Sequence, residues 1–276
     1  APRVRQIDIL PTVLDVVGVE RRILTDGVSE IGAGQLADTD AVVVLGPTVS
    51  ATSLEGAEHL AVVARIGVGY DAVDVPACTQ AGIALTITPD GVRRPVASAA
   101  LASLLALAHR LPLKDRLTRQ GRWSEKPQHM GIGLRGRTLG LVGMGNIGTE
   151  ILKLVAPHEM TTLVADPFAD AEKVSDLGAH LLELPAMLEQ ADFVIICCAL
   201  TDQTHHLIDA EALHLMKPTA HLINVARGPI VDQAALIEAL LARPGAATPL
   251  DALAHALWGE AATADHHARA AIRTHV

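Results

Sequence analysis

Apolar runs alternate with helix-like amphipathic segments along most of the chain. In the first third, short runs rich in Val and Ile lie at Gln6–Leu10, Ala41–Gly46, Leu60–Gly67 and Ile83–Thr88. Runs of β-branched residues of this length are typical of buried strands. Buried strands that alternate with helical patterns favour an α/β fold with mostly parallel sheets.

A second series of the same kind begins at Arg137. Strands are expected within Arg137–Gly143, Met160–Asp166, Ala191–Ala199 and Ala220–Ala226. Four helices are expected between and after them: one that begins at Asn146, one that ends near Gln190, one over Asp209–Lys217 and one over Asp232–Arg243. Between the two series, Val96–Arg110 is rich in Ala and Leu and apolar on most of its faces, which predicts a buried helix. The chain therefore contains two α/β units, with a boundary between Thr88 and Arg137.

Composition and charge narrow the possible classes of protein. Half of the residues are hydrophobic, and the net charge of −9 argues against a nucleic-acid-binding surface. We expect no membrane span, because no apolar run approaches the roughly 20 residues required, and the N-terminal apolar segment is too short for a secretory signal. Cys78, Cys197 and Cys198 do not form a disulfide framework, which indicates a reducing cytoplasm. We expect no metal site.

The segment LGLVGMGNIG, Leu139–Gly148, places three glycines at the spacing G-x-G-x-x-G behind an apolar run. In a dinucleotide-binding turn, Gly143 would allow the tight turn, Gly145 the approach of a pyrophosphate, and Gly148 close packing of helix on strand. The N-terminus of the following helix would offer N–H groups and a positive dipole end to the pyrophosphate. An ordinary strand–turn–helix without a ligand is the alternative.

Asp166 supplies a second signal for a dinucleotide. It ends the next apolar run, about 20 residues beyond Gly143, at the separation expected for the acid that binds the adenosine ribose. A carboxylate there accepts hydrogen bonds from both ribose hydroxyls and repels a 2′-phosphate. The sequence therefore predicts binding of NAD in preference to NADP.

Three stretches resemble the D-isomer-specific 2-hydroxyacid dehydrogenases: Ala64–Asp74, Leu141–Gly148 with Asp166, and Ala199–Leu240. Their order and separations are similar to those of the family over most of residues 40–243. The resemblance implies a flavodoxin-like substrate-binding domain over residues 1–95, an NAD-binding Rossmann domain over residues 96–260, and a divergent tail over residues 261–276. It also implies an active site in the cleft between the two domains.

The resemblance assigns the substrate to two loops. Arg227, in NVARGPIVD, matches the family's catalytic arginine. Its guanidinium fork suits the carboxylate of a 2-oxo acid and can polarise the carbonyl, whereas a plain surface arginine is the alternative. Gly67, Val68 and Gly69 match the loop whose backbone N–H groups bind the substrate carboxylate, and an ordinary turn after a strand is the alternative there.

The resemblance likewise implies cofactor contacts along the second series. They fall on the glycine-rich turn, on the acid after the next strand and on later strand ends: Val96, Gly143, Gly145, Asn146, Ile147, Gly148, Asp166, Cys198, Ala199, Leu200, Ala226 and Asp251. Val96 could equally be a core residue. The family usually has proline where this chain has Ala199, which is a mild departure.

The family completes its site with a histidine that protonates the carbonyl oxygen and a glutamate that keeps this histidine protonated. The expected position of the glutamate falls near His255, and Glu260 is the one glutamate further along. The segment IRTHV resembles the family's histidine turn and makes His275 the candidate proton donor. Its competitors are His255, His266 and His267.

The expected function is therefore NAD-dependent interconversion of a 2-oxo acid and a D-2-hydroxy acid. The alternatives are a catalytically impaired protein that binds or senses NAD(H), and oxidation of a non-carbon substrate such as phosphite. We expect a small 2-oxo or 2-hydroxy acid as substrate, a cytoplasmic homodimer formed through the Ala- and Leu-rich helix, and no nucleic-acid or membrane partner.

Overall fold

The computed structural model describes residues 29–242. The expected strand Gln6–Leu10, Asp251, His275 and the tail 261–276 lie outside the described residues. The chain divides into two compact units, Ala1–Thr88 and Pro89–Val276. Residues 89–95, which the sequence places with the first domain, lie with the second unit in the helix that they begin.

The described part of the first unit contains a parallel sheet in the order β1-β2-β3. Its strands coincide with three of the expected apolar runs: β1 (Ala41–Val44), β2 (Val62–Arg65) and β3 (Ala84–Ile87). Helix α1 (Val75–Gln80) begins at Asp74, whose side chain accepts a hydrogen bond from the Ala77 N–H. A 3-10 turn covers Thr52–Leu54, and the core includes Val42, Val44, Val63, Cys78 and Ile83.

The second unit contains a five-stranded parallel sheet in the order β6-β5-β4-β7-β8. The strands are β4 (Thr138–Val142), β5 (Thr161–Ala165), β6 (Ala179–Leu181), β7 (Phe193–Ile196) and β8 (His221–Asn224). This order is the doubly wound arrangement of dinucleotide-binding folds, in which the direction of winding reverses between the first and fourth strands. Here the reversal lies between β4 and β7.

The helices of the second unit are α2 (Pro89–Ala108), α3 (Leu111–Arg119), α4 (Asn146–Val155), α5 (Ala171–Asp176), α6 (Leu184–Gln190), α7 (Ala210–Leu215) and α8 (Gln233–Leu241). Short 3-10 segments cover Trp123–His129, Ala156–His158 and Gly228–Ile230. The apolar pattern of the sequence does not predict α5 or β6, because segments this short do not establish a periodicity.

Both faces of the second sheet are buried. Along β7, Phe193 and Ile195 belong to one core cluster with residues of α2, α4 and α5. The alternate residues Val194 and Ile196 belong to another cluster with residues of α6, α7 and α8. Because successive side chains of a strand point to opposite faces, the sheet is covered on both sides. The predicted α/β class with parallel sheets is thus confirmed.

Helix α2 differs from its prediction in two ways. It begins at Pro89 and contains Pro95, and only its stripe of Ala97, Ala100, Leu104 and Ala108 is buried. The expectation of a buried helix is therefore met only along this stripe. With the earlier start, α2 is long and apolar enough to span a membrane by length and composition, a test that core helices of soluble proteins also pass. This helix therefore contradicts, by length and composition, the expectation that no apolar run approaches the length of a membrane span.

Candidate active site

Four neighbouring strands of the second unit end at one edge of the sheet. Val142 of β4 is in register with Ala165 of β5 and with Ile196 of β7, and Ile196 is in register with Asn224 of β8. The segments that follow these strands carry most of the expected cofactor residues and Arg227. Ligands of open α/β sheets bind outside this edge at the reversal of winding, so these segments lie where a ligand of such a sheet would bind.

The glycine-rich turn requires glycine at two positions for lack of space. Gly143 has φ +100, and a Cβ there would lie 2.7 Å from the Cys198 nitrogen. A Cβ on Gly148 would collide with the Gly143 carbonyl oxygen and lie 3.2 Å from Leu141 Cδ2. The backbones of β4, α4 and the segment after β7 therefore approach one another more closely than side chains would permit.

Gly145 is different, because a Cβ there would meet nothing within 4 Å. Gly145 is also the N-cap of α4, and no side chain caps this helix. By contrast, aspartate side chains cap α1, α5, α7 and α8. The first N–H groups of a helix have no partner within the helix, and its positive end attracts anions. Open space at Gly145 beside the N–H groups of Asn146 and Ile147 therefore fits a pyrophosphate.

The Asp166 carboxylate faces this turn. Its Oδ2 accepts a hydrogen bond from the Met144 N–H at 2.7 Å, and its Oδ1 accepts one from the Phe168 N–H at 2.9 Å. An ionised carboxylate offers about four acceptor positions, so both oxygens keep capacity for the hydroxyls of a ribose. Asp166 thus fixes the end of β5 to the glycine-rich turn and presents a negative charge beside it.

The two cysteines after β7 lie on opposite faces of the sheet, and sequence reasoning singled out only the second. The Cys197 thiol donates a hydrogen bond to the Gly143 carbonyl oxygen at 3.1 Å. Burial, with smaller contributions from Cys198 and Asp166, strongly raises the pKa of the Cys197 thiol, which keeps it a neutral donor. Burial also raises the pKa of Cys198. The side chains of β7 point alternately to the two faces of the sheet. Continuing this alternation to Cys197 is the signal that could have placed its thiol next to the glycine-rich turn.

The segment beyond Cys198 is held by threonines. Ala199 is exposed and Leu200 is half-buried. The Thr204 hydroxyl donates to the Ala199 carbonyl oxygen at 2.7 Å and accepts from the Thr201 N–H at 2.7 Å. These bonds give the expected cofactor residues Ala199 and Leu200 a defined loop at the edge of the sheet.

The loop that carries Arg227 is set by Asn224, a residue that sequence reasoning missed. The Asn224 Oδ1 accepts from the Ala226 N–H at 2.9 Å, and its Nδ2 donates to the Arg227 carbonyl oxygen at 2.8 Å. Arg227 is half-buried, and its Nη1 donates to the Ala226 carbonyl oxygen at 3.0 Å. The tendency of Asn to bond the backbone two residues on is the local signal that could have identified this turn.

Helix α2 contacts α4, the helix that follows the glycine-rich turn, through an ion pair that the sequence did not indicate. The Arg94 guanidinium donates to a carboxylate oxygen of Glu150 on α4, and the Glu150 side chain is only 11% exposed. The hydrogen bond from Arg94 lowers the pKa of Glu150. Val96, expected at the start of its helix, instead lies half-buried inside α2, because the helix begins at Pro89.

In the first unit, the Gly67 loop follows β2. Gly67 has φ +127, a conformation that residues with side chains rarely adopt, and its N–H donates to the Thr88 hydroxyl at 2.8 Å. Of the three N–H groups expected to bind the substrate carboxylate, the one on Gly67 is therefore engaged within the protein. Among residues 29–242, no group of three or more His, Cys, Asp or Glu side chains could hold a metal ion.

Comparison with known families identifies the family to which the chain is similar. The family described as D-isomer specific 2-hydroxyacid dehydrogenase, NAD binding domain, matches residues 101–276. The D-3-phosphoglycerate dehydrogenase of Archaeoglobus fulgidus is 38% identical over 213 residues, which are 77% of this chain and 40% of that protein. The glyoxylate reductase of Thermococcus onnurineus is 37% identical over 218 residues, 76% of this chain and 65% of that protein. The chain thus spans 40% and 65% of the lengths of these two relatives.

Solved structures of similar fold include D-lactate dehydrogenase from Aquifex aeolicus complexed with NAD and lactic acid. It is 25% identical with a TM-score of 0.76, and the match covers 85% of this chain and 71% of that one. The TT0316 protein from Thermus thermophilus is 31% identical with a TM-score of 0.72, and the match covers 84% of this chain and 75% of that one. The resemblance seen in the motifs is confirmed: the chain belongs to the D-isomer specific 2-hydroxyacid dehydrogenase family.

Proposed function

We propose that this chain carries an NAD-dependent oxidoreductase activity that interconverts a 2-oxo acid and a D-2-hydroxy acid. The observation that carries the proposal is the shared edge of one sheet, where the uncapped N-terminus of α4, the Asp166 carboxylate and the Arg227 loop follow neighbouring strands. The names of the relatives, glyoxylate reductase, D-3-phosphoglycerate dehydrogenase and D-lactate dehydrogenase, support this class of substrate.

The cofactor side of the proposal rests on the second unit. The N–H groups of Asn146 and Ile147 bind the pyrophosphate, and Gly145 leaves room for it. Asp166 accepts hydrogen bonds from the two hydroxyls of the adenosine ribose. When bound, the nicotinamide supplies or receives the hydride. Cys197 and Glu150 act indirectly in this proposal, because they hold the glycine-rich turn and α4 in position.

The substrate side rests on Arg227. Its guanidinium binds the substrate carboxylate and polarises the carbonyl, while Asn224 fixes the loop from which it projects. In the first unit, we assign to Val68 and Gly69 N–H donation to the substrate carboxylate. Gly67 provides the backbone conformation of that loop, since its own N–H is bonded to Thr88.

We assign proton transfer to His275, which lies outside the described residues. A hydride that reaches a carbonyl carbon leaves an alkoxide, and a positioned acid that protonates it contributes typically 10²–10⁴-fold to the rate. Reduction should therefore decline as pH rises and the donor loses its proton. A pH–rate profile of His275→Ala, compared with His255→Ala and His267→Ala, tests this assignment. Full activity in His275→Ala would move the role to another residue.

We also propose a homodimer formed through α2. This helix is apolar, yet it buries only one stripe within its own unit, which leaves apolar surface for a second copy. Ala102 lies on an exposed part of α2, so Ala102→Glu should shift the mass measured by equilibrium sedimentation from dimer towards monomer. A monomeric mass for the unmodified chain would contradict the proposal.

The decisive experiment for the activity measures NADH consumption with glyoxylate, hydroxypyruvate and pyruvate, alongside direct NADH binding. We expect saturable turnover on at least one of these 2-oxo acids. NADH binding without turnover on any of them would favour a protein that only binds or senses NAD(H). Reduction of NAD by phosphite, with no reaction on the 2-oxo acids, would favour a non-carbon substrate.

A further inference from the structure

The loops after β1 and β2 lie side by side in the first unit. The Ile66 N–H, just past β2, donates to the Val44 carbonyl oxygen at the end of β1 at 2.9 Å. The two strands are parallel, so residues 45–50 leave the sheet at the same carboxyl edge as the loop after β2. The proposed donors to the substrate carboxylate, the N–H groups of Val68 and Gly69, belong to that second loop. The first loop is therefore a direct neighbour of the proposed carboxylate site.

The first loop starts with an exposed apolar side chain. Residues 45–50 read LGPTVS and carry no charge. Leu45 is 49% exposed, whereas Val42 and Val44 of the preceding strand are buried in the core of this unit. An exposed leucine is common on protein surfaces and needs no explanation by itself. At this edge, however, Leu45 supplies an apolar contact beside backbone N–H groups that suit a carboxylate.

The charges around the two loops are mostly negative. Glu30 accepts a hydrogen bond from the Ser50 hydroxyl at the end of the first loop, and the exposed Asp71 follows the second loop. Arg65 is the only lysine or arginine among residues 29–88. A substituent with a negative charge of its own would lose hydration at this edge and meet like charges, which disfavours it.

Arg65 is engaged by the backbone of both loops. Its Nη1 donates to the Val44 carbonyl oxygen at 3.3 Å and also to the Ile66 carbonyl oxygen. The guanidinium packs against Gly67, where a Cβ would lie 3.7 Å from Nη1. Turning Arg65 towards an anionic substituent would take these bonds from two carbonyl groups, which costs free energy. Arg65 therefore holds the two loops together and is a poor partner for a second anion.

We propose that Leu45 selects 2-oxo acids with a small uncharged side chain and excludes those that carry a phosphate or a second carboxylate. The proposal rests on the proposed function, because it takes Val68 and Gly69 as donors to the substrate carboxylate. Neighbouring strands lie about 4.8 Å apart, so a substrate held by the second loop brings its carbon-3 substituent within reach of the first. Contact with Leu45 favours an apolar substituent and leaves an anionic one without a compensating charge.

The test measures kcat/KM with NADH for two groups of 2-oxo acids. Pyruvate and 2-oxobutyrate have uncharged side chains, and oxaloacetate and 3-phosphohydroxypyruvate have anionic ones. The unmodified chain should prefer the uncharged group about tenfold or more. Leu45→Arg supplies a cation and should raise kcat/KM for the anionic acids, relative to pyruvate, about 10- to 100-fold. Val43→Arg is the matched control, because Val43 is similarly exposed on the same face of β1 but lies two residues before the edge, and it should leave the preference unchanged.

A second variant tests the apolar contact without adding a charge. Leu45→Ser should lower kcat/KM for 2-oxobutyrate relative to glyoxylate, which has no side chain, by about 3- to 10-fold. The Kd of NADH should stay unchanged in both Leu45 variants, which shows that the second unit remains folded and binds its cofactor.

The other outcomes separate this proposal from the proposed function. If the unmodified chain used the anionic acids as well as pyruvate, or better, the role of Leu45 would be overturned and the 2-oxo acid activity would stand. An equal shift in Leu45→Arg and Val43→Arg would indicate a general effect of charge, which also overturns it, as would no shift in either Leu45 variant. If no 2-oxo acid of either group were reduced, the proposed function itself would fail.

Discussion

Asp166 shows how one residue can join local structure to cofactor choice. Its two oxygens accept N–H bonds from Met144 and Phe168, so the carboxylate is oriented before any ligand arrives. An oriented acceptor loses little further freedom on binding, which favours affinity. The same negative charge would repel a phosphate on the 2′ position of the ribose.

We therefore expect Asp166→Ala to lose most of its preference for NADH over NADPH. The ratio of kcat/KM values for the two cofactors should fall about tenfold or more, because the repulsion and both ribose hydrogen bonds disappear. Asp170→Ala is the matched control, since it also removes an acceptor of two N–H bonds, but its side chain caps α5 and pairs with Lys173. Equal kcat/KM for both cofactors in the unmodified chain would refute the assignment.

Arg227→Lys tests whether the guanidinium fork is needed. Lysine keeps the charge but cannot bind a carboxylate through two parallel N–H bonds. We expect kcat/KM for the 2-oxo acid to fall about 10- to 100-fold, while the Kd of NADH stays within about twofold. Arg119→Lys, an exposed arginine paired with Asp115, is the control. A parallel loss of NADH affinity would make Arg227 a structural residue of the loop.

At the level of elements, the glycines of the glycine-rich turn meet two different requirements, close packing and open space. The motif G-x-G-x-x-G alone does not distinguish them. Gly143 and Gly148 lie where a Cβ would collide with neighbouring backbone. Gly145 lies in open space with φ −76, a conformation that alanine adopts without strain. Stability therefore requires glycine at the two outer positions, and we expect ligand approach to require it at the middle one.

Two alanine substitutions should accordingly behave in opposite ways. Gly145→Ala should keep the Tm nearly unchanged but weaken NADH on the order of tenfold, because its methyl group occupies the space of the pyrophosphate. Gly148→Ala should lower the free energy of unfolding by about 1–3 kcal/mol through overpacking. Gly133→Ala, where a Cβ meets nothing within 4 Å, controls for the substitution itself. Unchanged NADH affinity in Gly145→Ala would place the pyrophosphate elsewhere.

Most of the regular elements could be predicted from the sequence because their patterns are local. The strands that carry the site are apolar runs long enough to identify, and their order along the chain indicates a doubly wound sheet. Helix α2 was predicted too short, because Pro95 is read as a helix breaker. Its burial was overestimated, because composition does not say which face finds a partner.

The candidate site was predictable only in part for a similar reason. Asp166 is found by its spacing from Gly143, which reflects the length of one helix and one strand. The thiol of Cys197 on Gly143, the bond from Gly67 to Thr88 and the pair of Arg94 with Glu150 join residues distant in sequence. Such contacts follow from tertiary packing, which no local pattern encodes.

For the molecule as a whole, the three cysteines share one property. Burial raises the pKa of Cys78, Cys197 and Cys198, with smaller contributions from nearby carboxylates. In the unfolded chain a thiol loses its proton near pH 8.5, at about its ordinary pKa. The native protein keeps these protons to higher pH, so alkaline solution favours the unfolded state.

The free energy of unfolding should therefore fall as pH rises above about 8.5, by up to roughly 1.4 kcal/mol per pH unit for each fully protected thiol. Urea unfolding under reducing conditions at several pH values between about 7.5 and 9.5 measures this slope. Cys197→Ala should be less stable at neutral pH yet show a shallower decline. The same slope in the variant and the unmodified chain would exclude Cys197 as a contributor.

The strand order of the second sheet also has a consequence for synthesis on the ribosome. Strand β4 pairs with β5 on one side and β7 on the other, and β7 begins only at Phe193. Synthesis proceeds at about 5–20 residues per second. The edge of β4 that pairs with β7 therefore has no partner strand for roughly several seconds, while the segment between them is made. The Gly143 turn packs on Cys198, so it too is incomplete during this interval. A nascent chain that stops before Phe193 should therefore expose an apolar strand edge prone to aggregation, and NAD added at that stage should not rescue it.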